Sequence, residues 1–171
     1  MVSSGHLITK SKFPAQVLPA VAVLTSMINY LLSLPLLFLI MFFSGVSIPA
    51  SIVLLPVLCI LQALLLFGMS LILAALNVYY RDVQHIVGNF LTFAFFLCPI
   101  LYPRTVVPER FRFTLDLNPL ALLTESYQLV LLDGVFPSLW TFVYITLWTV
   151  IGLWSGAYVF RRYRERFAEA L

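Results

Sequence analysis

The sequence predicts an all-α polytopic membrane protein, with four transmembrane helices and an extracytoplasmic re-entrant or interfacial helical segment. Three observations predict this class. The chain of 171 residues is 62% hydrophobic and only 10% charged, which is more apolar surface than a soluble domain of this size can cover. Its uncharged runs reach or exceed the roughly 20 residues that a helix needs to cross a bilayer. Its charged residues gather at the ends of these runs, as topology anchors do.

Four apolar runs predict the four transmembrane helices. They cover residues 15–43, 48–76, 83–102 and 138–160, and none of them contains Asp, Glu, Lys or Arg. Together they predict a transmembrane domain over residues 15–160. A cytoplasmic segment, residues 1–14, precedes this domain, and a basic cytoplasmic tail, residues 161–171, follows it.

The charged turn after the second run orients the chain. Arg81 and Asp82 are the only charged residues between Lys12 and Arg104. With both termini in the cytoplasm, seven of the ten Lys and Arg residues face inward, which agrees with the positive-inside rule. A charge at mid-membrane would cost at least about 2.5–3.5 kcal/mol. We therefore expect Asn77, Arg81 and Asp82 to form a tight cytoplasmic turn.

Residues 103–137 are predicted to stay on the outer side of the membrane. A mixed loop, residues 103–116, precedes an apolar stretch, residues 117–132, which carries Glu125 and Gln128. This stretch is too short and too polar for a comfortable transmembrane helix, so we expect a re-entrant or interfacial helix. A fifth transmembrane helix is the alternative, but it would place the C-terminal arginines outside.

The ends of this outer helix have sequence signals of their own. Asn118 followed by Pro119 resembles an N-cap with proline at the first helical position. Asp133 followed by Gly134 resembles a helix stop. The candidate site residues of the outer segment are Asn118, Pro119, Glu125 and Tyr127.

Motifs for catalysis, metal binding and nucleic-acid binding are absent from the sequence. Cys59 and Cys98 lie within apolar runs, without a CxxC pattern, so neither a disulfide nor a metal site is expected. His85 is interpreted as a polar residue at the edge of a transmembrane helix. We expect no catalytic residue, because HExxH, GxSxG and glycine-rich phosphate loops are missing. The charge-free transmembrane runs also argue against ion-coupled transport, so any transport would draw its energy from elsewhere.

Aromatic residues admit two interpretations. The chain contains 15 Phe, 8 Tyr and 3 Trp, and an interfacial belt accounts for residues such as Trp140 and Trp154. The alternative is a pathway lined with flat rings that face the C–H surfaces of a sugar. The candidate channel-lining residues are Tyr79, Tyr80, Phe93, Phe96 and Tyr102.

A GxxxG pattern lies in the last transmembrane run, at Gly152 and Gly156. Such a pattern lets two membrane helices approach closely. We expect it to serve packing within the subunit, and a seam between two copies is the alternative.

Five segments carry a resemblance to a known family. They are LITKSKFPAQVLPA at residues 7–20, LNVYYRDVQHIV at residues 76–87, CPILYPRTVVPERFR at residues 98–112, LNPLALLTESYQLVLLDG at residues 117–134 and FRRYRERFAEAL at residues 160–171. In this order and spacing they resemble the membrane subunits of ABC-2 type exporters. The group they resemble most exports polysaccharides and polyols, which include O-antigen, capsule and teichoic acid.

The resemblance implies a transport subunit and not an enzyme. In that family the permease lies in the bacterial inner membrane with both ends cytoplasmic, and it pairs with a second copy and two ATPase subunits. ATP and Mg²⁺ would bind the partner ATPase, so this chain would hold no cofactor. A lipid-linked glycan and membrane lipids would be its other partners, with no nucleic acid. The implied ATPase-coupling residues are Leu7, Ile8, Lys10, Phe13 and Pro14.

The resemblance has one departure. Family permeases have six transmembrane helices, and the amphipathic helix and first two transmembrane helices have no counterpart in this sequence. We therefore expect a truncated permease, for one of three reasons: the start was assigned too late, the gene is truncated, or the missing part is on another polypeptide. The alternatives are an exporter of drugs or small lipids of the same superfamily, or an inactive membrane remnant or scaffold.

Overall fold

The computed structural model describes residues 17–80 and 82–164. This part of the chain consists of helices and turns and contains no strand. The α-helices are α1 (Val17–Phe43), α2 (Leu55–Tyr79), α3 (Val83–Leu97), α4 (Glu109–Leu117), α5 (Pro119–Gln128) and α6 (Leu139–Arg164). Short 3-10 turns at Ala50–Leu54 and Arg104–Val106 precede α2 and α4, and a π-helical turn at Leu129–Asp133 follows α5. The all-α prediction is confirmed.

Three helical stretches are long and apolar enough to cross a membrane: Val17–Phe43, Ala50–Asn77 and Leu139–Arg162. Large apolar side chains on them point away from the rest of the protein, since Leu32 is 71% and Trp140 81% exposed. Such surfaces suit a helix surrounded by lipid. α3 is a shorter apolar helix of 15 residues and is the candidate fourth transmembrane helix, so the predicted four are consistent with the structure.

α3 ends at Leu97, before the predicted end of the third run at residue 102. Cys98 is extended, with φ −85° and ψ 140°, because the residue before a proline is restricted away from the helical region, and Pro99 follows. The chain then turns, and the hydroxyl of Tyr102 donates to the carbonyl oxygen of Phe96 at 2.9 Å. The helical part of the third run is therefore shorter than the apolar run.

α2 and α6 cross in backbone contact at three glycines. A Cβ added to Gly68 would lie 2.5 Å from the carbonyl carbon of Gly152, and one added to Gly156 would lie 2.4 Å from the carbonyl oxygen of Gly68. Real Cβ atoms do not approach backbone this closely, so only glycine permits the crossing. This is the most extensive helix contact in the described part of the chain. The GxxxG pattern thus packs helices within the chain, as predicted.

α5 packs between the long helices α1, α2 and α6. Its residues join a core with α2 and α6 that comprises Leu58, Leu65, Leu122, Leu123, Val130 and Ile145. On another side, Leu131 packs with Leu34 of α1 and Leu55 of α2. α5 and the π-helical turn after it are not among the helices that are apolar and long enough to cross a membrane, so the alternative of a fifth transmembrane helix finds no support in the described residues.

The prediction of a mixed loop over residues 103–116 is wrong in one respect, because this segment contains α4. Pro108 is non-helical just before the helix, with φ −55° and ψ 142°, and Glu109 places a negative charge in the first turn of the helix, where the helix dipole favours one. A helix of nine residues is marginal alone. Leu115 is 3% exposed and packs with Cys98 and Ala121, so tertiary contacts that the sequence pattern does not display stabilise α4.

Candidate functional site

The candidate site is built around α5 and the π-helical turn after it, residues 119–133, which we call the α5 segment. The Oδ1 of Asn118 accepts a hydrogen bond from the backbone N–H of Leu120 at 3.0 Å, and Pro119 occupies the first turn. At the other end Gly134 has φ 69°, a left-handed conformation that favours glycine. Both predicted helix ends are confirmed.

A polar contact holds the α5 segment to the long helices. The hydroxyl of Tyr127 donates to the Oε1 of Gln62 in α2 at 2.6 Å. The ring of Tyr30 in α1 meets the ring of Tyr127 edge-on, with centroids 5.7 Å apart. Polar groups in apolar surroundings are costly unless they are hydrogen-bonded. This pairing therefore fixes one face of α5 against α1 and α2.

A second, charged contact holds α5 to the chain around α4. The guanidinium of Arg104 donates to the carboxylate of Asp116 and, at 2.9 Å, to Glu125 of α5. Burial alone would lower the pKa of Arg104, but the hydrogen bonds and charges of Asp116 and Glu125 outweigh it and raise that pKa above its ordinary value. Arg104 therefore stays charged and links two carboxylates that would otherwise repel each other.

The π-helical turn has its own buried partner. The Oγ of Ser51, which is 0% exposed, donates to the carbonyl oxygen of Val130 at 2.8 Å. Carbonyls at a helix end lack partners within the helix, and a buried backbone carbonyl that is left unpaired costs free energy. Ser51, from the 3-10 turn before α2, thus satisfies the end of the α5 segment.

A cavity of ≈ 670 Å³ lies between α1, α2, α3 and α5. Its walls are almost entirely apolar, with a few polar side chains at Tyr30, Gln62, Thr124, Tyr127 and Gln128. Natural ligand sites have this size and this mixture of apolar walls and few polar groups. Among residues 17–80 and 82–164 no cluster of His, Cys, Asp or Glu could hold a metal ion. The arrangement is therefore one that can hold a ligand or a neighbouring chain.

Comparisons with known proteins agree with this architecture. The family described as ABC-2 type transporter matches residues 8–132. The chain belongs to the ABC-2 type transporter family. It is 40% identical to the O-antigen export system permease protein RfbA of Myxococcus xanthus, over 96% of this chain and 64% of that protein. It is 29% identical to an RfbA permease of Klebsiella pneumoniae, over 99% of this chain and 66% of that protein. The chain thus spans about two thirds of the length of these curated relatives.

Two groups of predicted residues belong to the cytoplasmic side of an ABC-2 permease: those that would couple to an ATPase and those that would form the cytoplasmic turn. Leu7, Ile8, Lys10, Phe13, Pro14 and Arg81 lie outside the described residues. Asn77 lies in the last turn of α2, and Asp82 directly precedes α3 without a side-chain capping hydrogen bond. The predicted coupling and turn roles stay predictions.

The predicted channel-lining residues do not gather at the cavity. Phe93 and Phe96 are 62% and 65% exposed, while Leu91, Ala94 and Phe95 form the face of α3 that lines the cavity. Tyr80 is 67% exposed at the end of α2. The structure describes the backbone of Tyr79 and not its side chain. The role of these residues in a channel stays a prediction. For Phe93 and Phe96 it concerns the exposed face of α3.

Sequence reasoning missed several residues that build the site: Tyr30, Ser51, Gln62, Arg104, Asp116 and Gln128. Gln62 had a signal, because it is a strongly polar side chain in the middle of an apolar helix. Arg104 had one too, as the first charged residue after the long uncharged stretch that follows Asp82. The other partners become visible only when distant segments pack together.

Replacing Ser51 with Ala should loosen the end of the α5 segment. The carbonyl of Val130 would lose its partner in a buried place, which costs about 1–3 kcal/mol. Hydrogen exchange of the amides from Leu129 to Val135 should therefore become faster. Ser26→Ala is the control, since Ser26 is exposed and bonds only the carbonyl of Ala22 in its own helix. Equal exchange in both variants would contradict the role given to Ser51.

Proposed function

We propose that this chain is a transmembrane permease subunit of an ATP-driven exporter that moves a lipid-linked polysaccharide across the bacterial inner membrane. The observation that carries the proposal is the similarity to the Myxococcus xanthus O-antigen export permease along 96% of the chain. The five matching segments in the sequence support the same substrate class. Drug or small-lipid export has no comparable support.

The absence of charge in the membrane supports an external energy source. Within the described residues, α1, α2 and α3 contain no Asp, Glu, Lys or Arg, and α6 has Arg residues only at its end. Proton- and ion-coupled transport needs ionisable groups within the membrane. A separate ATPase subunit, which binds ATP and Mg²⁺, would supply the energy through residues 7–14.

The distribution of charge supports a topology with both termini in the cytoplasm. The arginines that end α6 lie on the cytoplasmic side, next to the ATPase. Arg104, Arg110 and Arg112 lie on the outer side in this topology. Asp116 and Glu125 pair with Arg104 there, and Glu109 pairs with Arg112. The exposed rings of α3, among them Phe93 and Phe96, would face the polysaccharide pathway between two copies of the subunit.

A chimera tests the proposal. The matching part of Myxococcus xanthus RfbA is replaced by this chain, and the chimera is expressed with its ABC ATPase in cells that lack the permease. We expect O-antigen to return to the cell surface. A chimera that inserts into the membrane and retains the ATPase, yet exports no O-antigen, would contradict the proposed function.

The same chimera tests the coupling residues. Replacing Phe13 and Pro14 with Ala should abolish most export and leave membrane insertion and ATP hydrolysis intact, because an aromatic anchor contributes much of a docking contact. Phe136→Ala is the control, since Phe136 is a 60% exposed aromatic in the predicted outer segment. Normal export by the Phe13 and Pro14 variant would remove the coupling role.

A further inference from the structure

The apolar cavity adjoins a polar pocket on the next face of the α5 segment. This pocket has a volume of ≈ 300 Å³ and is lined by Arg104, Arg112, Glu125, Gln128 and Asp133, among others. Gln128 lines both spaces, and its Nε2 donates to the carbonyl oxygen of Pro99 at 2.7 Å. One helical segment therefore places a hydrocarbon-lined space beside a charged one, with Gln128 at the boundary.

The lining of the apolar cavity suits a hydrocarbon ligand. Leu91, Ala94 and Phe95 of α3 face Leu66 of α2 and Leu123 of α5 across it. Cavities with such walls exclude water and accept apolar molecules. α3 packs much less against α2 than α1 does, so the cavity lies beside a helix whose opposite face is exposed to the bilayer. Acyl chains are the apolar molecules that a bilayer supplies.

The polar pocket contains both arginines and carboxylates, so it suits a headgroup that carries one positive and one negative charge. Arg104 is already paired with two carboxylates. Arg112 donates from its Nε to the carbonyl oxygen of Val107 at 3.1 Å. Its Nη1 lies 3.6 Å from Glu109, whose side chain is 88% exposed, so the outer end of the guanidinium has no close carboxylate partner in the described part of the chain. Asp133 forms no salt bridge with any residue in the described ranges. The pocket thus offers one cation and one carboxylate with little competition from other side chains.

We propose that these two spaces form one site for a zwitterionic phospholipid of the surrounding bilayer. One acyl chain fills the cavity, and the headgroup occupies the polar pocket. The phosphate faces Arg112 and the ammonium group faces Asp133, which are charge-assisted contacts. The bound lipid completes the packing of α3 against α5. This site does not depend on which substrate the protein exports.

Photolabelling tests the acyl-chain part. The protein is placed in vesicles of phosphatidylethanolamine and phosphatidylglycerol that contain a trace of phosphatidylethanolamine with a diazirine in one acyl chain. After illumination, peptide mass spectrometry should find label on Leu66 and Leu123, as well as on lipid-facing Trp154 of α6. Leu123 is 3% exposed, so its labelling requires a chain inside the cavity. Label confined to exposed side chains would overturn the proposal.

Larger side chains that fill the cavity should exclude the acyl chain, and they provide matched variants for the photolabelling experiment. Leu66→Trp should abolish label on Leu123 and leave label on Trp154 unchanged. Leu64→Trp is the control, because Leu64 lies on the same helix, is 40% exposed and does not line the cavity. Ala94→Phe fills the cavity from α3 and should also abolish label on Leu123. Agreement between the two filled variants excludes a folding defect specific to one of them. Undiminished label on Leu123 in both filled variants would also overturn the site.

The headgroup part is tested with two diazirine lipids that share the same chains. Phosphatidylethanolamine should label Leu123 more strongly than phosphatidylglycerol, which lacks the ammonium group. Asp133→Asn should reduce this preference by about three- to fivefold, as loss of one exposed ion pair does. Asp82→Asn is the control, since Asp82 precedes α3 and does not line the pocket. Equal labelling by the two lipids in the unmodified protein would refute the zwitterionic headgroup.

Discussion

Gly156→Ala and Gly68→Ala are each expected to separate α2 from α6 and to lower the unfolding midpoint of the protein in detergent. A methyl group on Gly156 would meet the carbonyl oxygen of Gly68 at 2.4 Å, and one on Gly68 would meet Gly152 backbone at 2.5–2.7 Å. Backbone cannot rotate aside as a side chain can, so the helices must move apart. Overpacking of this kind costs about 1–3 kcal/mol or more.

Gly152→Ala supplies the control within the same motif. A Cβ at Gly152 would lie 3.8 Å from the Cδ1 of Leu65, which is ordinary van der Waals contact. This variant should unfold within about 0.5 kcal/mol of the unmodified protein, as most substitutions without a steric conflict do. Thermal unfolding followed by circular dichroism measures all three variants. Equal midpoints for Gly152→Ala and Gly156→Ala would show that the close crossing does not govern stability.

Arg104→Ala is expected to release α5 from the chain around α4. Its removal leaves the carboxylates of Asp116 and Glu125 together without the cation between them. Hydrogen bonds to charged groups contribute about 1.5–3 kcal/mol each, and the partial exposure of these side chains, 21–51%, reduces that figure. We expect a loss of about 1–2 kcal/mol, seen as roughly tenfold faster hydrogen exchange in the α5 segment.

Two further variants define the origin of that loss. Arg110→Ala removes a nearby arginine that lies over the ring of Phe111, at 4.8 Å from its centroid, and it should leave α5 exchange unchanged. Adding Asp116→Asn and Glu125→Gln to Arg104→Ala should restore part of the protection, because it removes the unpaired charges. If Arg110→Ala accelerates hydrogen exchange in the α5 segment as much as Arg104→Ala does, the effect arises from net charge and not from the ion pairs of Arg104.

The pH dependence of this network has a definite sign. The pKa of Arg104 is raised in the folded protein, so its stabilising contribution is fully present below the ordinary arginine value. That contribution is lost only as the pH rises through the raised value, far into the alkaline range. Over the neutral range Arg104 therefore remains a fixed cation.

The transmembrane helices could be predicted from the sequence because long uncharged runs have few alternatives to a helix in lipid. The ends of α5 were also predictable, since Asn118, Pro119 and Gly134 act through local backbone geometry. α4 was not, because its stability depends on the packing of Leu115 against Cys98 and Ala121. Local patterns do not record such contacts.

In the helix crossing and the candidate site, too, local features could be predicted from the sequence and contacts between distant segments could not. The sequence displays Gly152 and Gly156 as a pair, but their partner Gly68 has no companion glycine nearby and gives no pattern. Tyr127 was a candidate from its position in the outer segment, while its acceptor Gln62 lies in another helix. Distances between remote segments determine these pairs, and a single sequence carries no measure of them.

The 15 residues of α3 have a consequence for the membrane itself. A helix of that length is about 22 Å long, whereas the hydrocarbon core of a bilayer is roughly 30 Å thick. The lipids beside α3 must therefore compress, or polar groups must enter the membrane to meet the helix ends. Either response shortens the apolar barrier along this side of the protein. A polar molecule that crosses beside α3 would then meet a thinner layer of hydrocarbon than it meets beside the longer helices α1, α2 and α6.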